Sequence, residues 1–80
     1  MACIDANGNI TRSAELILLA MMKPASVEQV AAESGLAVFR IRAALRELTQ
    51  AGFICQNGDT FQITEEGEKA LERRRKKEES

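Results

Sequence analysis

A chain of 80 residues is sized for one small domain, burying roughly 60–65% of the surface its unfolded form exposes. With 45% hydrophobic and 29% charged residues it has the composition of a folded domain, and a net charge of −1 gives it no overall attraction to polyanions. The absence of histidine removes His general bases, His-activated nucleophiles and His-ligated metals, and two cysteines do not complete a zinc site, so neither enzyme nor cofactor nor metal centre is expected.

Residues 1–10 hold few apolar anchors and the turn signal Asn7-Gly8-Asn9, and read as a loose N-terminal arm, with docking of Ile4 and Ile10 on the body left open. Thr11 or Ser13 is placed to cap a helix running to about Met22. Its Leu16, Ile17, Leu19, Ala20 and Met21 cover much of the circumference, which predicts a central, mostly buried helix. Lys23-Pro24 ends it, because proline disfavours the helical region for the residue before it.

Ser26-Val27-Glu28-Gln29 is a capping box opening a short helix with Val27, Val30 and Ala31 on one face. Gly35 stops that helix, where glycine enters the left-handed region cheaply. The next helix spans about Val38 to Ala51, with Ile41, Ala44, Leu45 and Leu48 forming one buried stripe. The period then changes. Phe53 to Gln56 and Thr60 to Ile63 flank Asn57-Gly58-Asp59, a strong hairpin signal, with Ile54, Phe61 and Ile63 sharing the inner face. Thr64 caps a last helix anchored by Ala70 and Leu71, and residues 72–80 read as a charged, fraying tail. The expectation is a small α+β domain over 11–71, between the arm of 1–10 and the tail of 72–80.

The charge is unevenly distributed. Between residues 36 and 52, Arg40, Arg42 and Arg46 face only Glu47, so the basic excess sits in one short segment. The run Arg73 to Lys77 is bracketed by Glu72, Glu78 and Glu79 and reads as a solvated helix end. Leu16 to Met22 is the longest apolar run, far short of the ~20 residues of a membrane span. No basic stretch leads into an apolar one at the N-terminus, so a cytoplasmic protein with no membrane partner is expected. Cys3 reads as a loose terminal thiol and Cys55 as a small strand residue.

Val30-Ala31, then Gly35-Leu36, then Ile41, Ala44 and Leu45 have the spacing of two helices packed across a tight turn. Together with A-L-x-x-L-x-x-A-G-F-I over Ala44 to Ile54 and I-T-x-x-G over Ile63 to Gly67, this spacing resembles winged helix-turn-helix domains of the MarR- and ArsR-like transcription regulators. The resemblance covers about residues 12–71. It implies a three-helix core, a two-stranded wing and a C-terminal helix, with the third helix set into the major groove of duplex DNA.

The DNA-contacting residues expected from the resemblance are Val38, Phe39, Arg40, Arg42 and Arg46 on the third helix, with Asn57 and Gly58 at the wing tip. Arginine suits that role because its planar fork pairs with phosphate or with guanine. Family members usually carry polar residues where Ala37, Val38 and Phe39 stand, and Asp59 at the short wing tip repels phosphate. The competing expectation is therefore a protein-interaction module that uses Val38 and Phe39 and binds no DNA. Burial of those two residues beneath Ile4 or Ile10 of the arm is a third arrangement. A single module covers only ~600–1,000 Å² of DNA, so a small regulator of this kind is expected to act as a homodimer on a two-fold site.

Overall fold

The computed structural model describes residues 3–79, with side chains through Lys76. Its elements are α1 (Arg12–Leu19), α2 (Val27–Ser34), α3 (Val38–Gln50), β1 (Ile54–Asn57), β2 (Thr60–Ile63) and α4 (Glu65–Glu79). Four helices and one antiparallel hairpin form the expected small α+β fold, in an order compatible with a winged helix.

The helices begin where first-turn N–H groups find side-chain acceptors. Thr11, not Ser13, caps α1 by accepting from the Ala14 N–H. At α2, Ser26 accepts from the Gln29 N–H at 3.2 Å while the Gln29 side chain accepts from the Ser26 N–H at 2.8 Å. Gly35 closes α2 with φ +75°, a conformation that costs other residues about 1 kcal/mol or more. Helix α1 ends at Leu19, short of the expected Met22. The Met21 carbonyl accepts instead from the Ile63 N–H of β2 at 2.9 Å, and the Met21 N–H turns back to the Leu18 carbonyl at 3.0 Å. The hairpin thus takes the backbone groups a longer helix needs, and Leu19 and Met22 are left exposed.

The hairpin register pairs Ile54 with Ile63 and Gln56 with Phe61. Ile54 and Ile63 are buried and Phe61 is half-buried on the same face, because side chains two apart along a strand share a face. Phe61 also exchanges both backbone hydrogen bonds with Ala25, at 2.9 and 2.8 Å, a one-residue third strand that ties the wing to the α1–α2 connection. Ile17, Leu18, Met21, Val30, Ile41 and Leu48 form the innermost core. In it α1 packs against both α2 and α4.

The two quoted sequence motifs meet in one joint. The Thr64 hydroxyl donates to the Gly52 carbonyl at 2.7 Å and accepts from the Gly67 N–H at 3.1 Å. The Thr64 N–H donates to the Phe53 carbonyl at 2.9 Å. Gly67 lies so close to this turn that an added Cβ meets the Phe53 carbonyl oxygen and comes within 2.7 Å of Ile63 Cγ1.

Both ends of the described chain are tied to the body. Ile4 pairs with Ile10, and Cys3 and Ile10 are buried, so residues 3–10 dock on the body, the alternative the sequence leaves open. Glu47 holds them: one of its oxygens accepts from the N–H groups of Cys3 and Ile4, each at 3.1 Å. Burial, and secondarily the Glu47 carboxylate, push the Cys3 thiol above its ordinary pKa. Helix α4 continues to Glu79 through the segment expected to fray. Arg74 secures it by donating to Glu15 at 3.3 Å and to the Ile10 carbonyl at 3.4 Å. Glu15 is only 3% exposed and also pairs with Arg12 at 2.7 Å, so its buried carboxylate has two cationic partners. Among the described residues no helix is long and apolar enough to cross a membrane.

Candidate nucleic-acid interface

Helix α3 buries Ile41, Ala44, Leu45 and Leu48 and presents its opposite side to solvent. At 100° per residue, Phe39, Ala43, Arg46 and Gln50 form the outermost stripe. All four are exposed, Phe39 by 73%. The flank toward the hairpin carries Arg42 and Thr49, and the flank toward the docked N-terminal segment carries Arg40. The three arginines therefore spread across the exposed side rather than stacking on one edge. Among the described residues Arg42 and Arg46 have no acidic partner.

Val38 is 41% exposed, so neither it nor Phe39 lies beneath the arm. Phe39 instead borders a hollow shared with Cys3, Arg40, Ala43 and Ala44. Ala37 at the start of α3 provides no side-chain cap, which leaves the first-turn N–H groups without that acceptor. At the wing, Asn57 and Gly58 are exposed but locally engaged: the Asn57 carbonyl accepts from the Thr60 hydroxyl at 3.0 Å, and the Gly58 carbonyl accepts from the Gln56 amide at 3.1 Å.

Between α3 and the hairpin runs a cleft of about 350 Å³. Its walls bring Arg42 and Arg46 together with Gln50 and Gln56 over a floor of Val27, Leu45 and Phe61. An adjoining hollow shares Val27, Arg42, Gln56 and Phe61 with the cleft and is also bordered by Ser26, Glu28 and Asp59. Gln50, Gln56 and Phe61 were not among the site residues expected from sequence. The hairpin register supplies the missing signal, because it sets Gln56 beside Phe61 on the face that turns toward α3.

The family model for the HemN C-terminal domain matches residues 9–67. This corrects the expected resemblance to MarR- and ArsR-like regulators: the family matched is a different one. The quoted motifs follow from the α3–hairpin joint and the Thr64–Gly67 turn, which specify a fold and not one family on it. No curated protein matches the chain.

Proposed function

The chain belongs to the HemN C-terminal domain family; from the exposed face of α3 we propose that it is a non-catalytic duplex-DNA-binding module that sets the outer face of α3 into the major groove. The observation that carries this reading is the spread of Arg40, Arg42 and Arg46 across the exposed side of α3, with Arg42 and Arg46 unpaired by acids among the described residues. In the groove, the stripe of Phe39, Ala43, Arg46 and Gln50 faces base edges, where an arginine fork reads guanine and an apolar side chain meets a thymine methyl. Arg42 and Arg40, on opposite flanks, lie toward the phosphates bordering the groove. The family is named for an enzyme, the radical SAM oxygen-independent coproporphyrinogen oxidase, but function is argued from the site rather than from the fold.

The test is a titration of the ¹⁵N-labelled protein with random-sequence duplex DNA at low and at moderate salt. Resonance shifts centred on Arg40, Arg42, Arg46 and Gln50 that fade as salt rises support the reading. Unchanged resonances at low salt refute it. The exposure of Phe39 and Val38 favours a second reading, an interaction module that grips a protein through this apolar pair. Replacing Phe39 by Ser separates the two: under the DNA reading it lowers affinity without changing the salt slope set by the arginines, whereas under the second reading no salt-dependent DNA binding exists to be changed.

A further inference from the structure

Resting in part on the DNA reading, we propose that the cleft between α3 and the hairpin binds a small phosphate monoester with a compact apolar body, and that this ligand competes with DNA for Arg42 and Arg46. The two arginines stand one helical turn apart on the same wall of the cleft and have no acidic partner among the described residues. Two guanidinium forks match a phosphate monoester, which is close to a dianion at neutral pH. The floor of Val27, Leu45 and Phe61 is apolar surface that a bare phosphate leaves uncovered and an aromatic or aliphatic ester group fills. Gln50 and Gln56 border the same space and supply amide donors and acceptors at its rim.

The charge pattern along the cleft also sets the ligand's size. Arg46 lines only the cleft, whereas Arg42 also lines an adjoining hollow that holds Glu28 and Asp59. A phosphate chain extending from the cleft into that hollow meets those carboxylates and is repelled. The cleft therefore selects one anionic head attached to an apolar body over a linear polyanion. DNA approaches α3 from its outer stripe, and the two ligands share Arg42, Arg46 and Gln50.

Phenyl phosphate is the probe, and inorganic phosphate is its control, both added to the ¹⁵N-labelled protein. Shifts localised to Val27, Arg42, Arg46, Gln56 and Phe61 are expected. Phenyl phosphate is expected to bind about tenfold more tightly than inorganic phosphate, the effect of burying roughly 60 Å² of apolar surface. Arg42→Gln and Arg46→Gln each weaken it about tenfold, as loss of a charge-assisted hydrogen bond does, while Arg73→Gln on α4 does not. Equal affinity for the two anions, shifts outside the cleft, or indifference to both substitutions overturns the site. Saturable phenyl phosphate binding without any DNA binding keeps the site and removes the DNA reading and the competition. DNA binding that persists at saturating phenyl phosphate overturns the competition alone.

Discussion

Replacing Gly67 by Ala tests the joint between α4 and the strand entrance. Gly67 is a helical residue, so alanine there gains about 1 kcal/mol of helix propensity over glycine. Against this stands the geometry: the new methyl meets the Phe53 carbonyl oxygen and lies within 2.7 Å of Ile63 Cγ1. Forcing a methyl into a filled space costs about 1–3 kcal/mol, toward the upper end where the obstacle is backbone. The same carbonyl accepts from the Thr64 N–H at 2.9 Å, and displacing it weakens a bond contributing about 0.5–1.5 kcal/mol. The net expectation is a loss of roughly 1–3 kcal/mol, which in a domain of this size lowers Tm by about 5–15 °C. Thermal unfolding followed by circular dichroism measures it, with the exposed Glu68→Ala as a control expected within about 0.5 kcal/mol of the parent. A Gly67→Ala protein as stable as the parent, or more so, refutes the close approach.

Four further outcomes follow from the same contacts. Removing both Arg42 and Arg46 by substitution with Gln reduces the log–log salt slope of DNA binding, read by fluorescence anisotropy, by about 0.9 for each arginine that meets a phosphate. Glu47→Ala leaves the N–H groups of Cys3 and Ile4 without their acceptor, costing about 1–3 kcal/mol; in thiol-reagent assays Cys3 then reacts alongside the exposed Cys55, whereas only Cys55 reacts quickly in the parent. Arg74→Ala leaves the buried Glu15 with Arg12 as its remaining ion-pair partner among the described residues and lowers stability by about 1–3 kcal/mol in urea unfolding. Because the folded Cys3 thiol holds its proton above the ordinary thiol range, folding stability is full below that range and falls as pH rises through it, where the unfolded thiol ionises first; Cys3→Ala flattens this alkaline decline.

Much of the fold was legible because its signals are local. The Ser26–Gln29 capping box, the Gly35 stop and the Asn57-Gly58 turn each need only four or five neighbouring residues, and each stands where it was read. The end of α1 was not legible, since it depends on Ile63, more than forty residues away, capturing the Met21 carbonyl. The same holds for the docked N-terminal segment: no pattern in residues 3–10 reveals that Glu47 accepts from two of their N–H groups. At the candidate site Arg40, Arg42 and Arg46 are expected from the family resemblance, and helical periodicity agrees with their exposure. The cleft beside them was not legible, because Phe61 and Gln56 reach it only through the hairpin's register and its pairing with Ala25. The likeness to MarR- and ArsR-like regulators misleads for a related reason. Residues such as Thr64 and Gly67 encode how a helix abuts a hairpin, a requirement shared by unrelated chains.

The buried Glu15 has a consequence for how the chain acquires its shape during synthesis. Its carboxylate is buried on α1, yet Arg74 joins it only after 59 further residues have been added. The N-terminal segment waits in the same way for Glu47, 44 residues downstream of Cys3. A nascent chain that has reached the end of α3 thus carries an acid whose burial lacks its second counter-ion, and α1 alone has little reason to settle into its final position. Native packing becomes favourable when α4 emerges and Arg74 reaches both Glu15 and the Ile10 carbonyl. The protein is therefore expected to fold late and in one step, with no stable helical half preceding the whole.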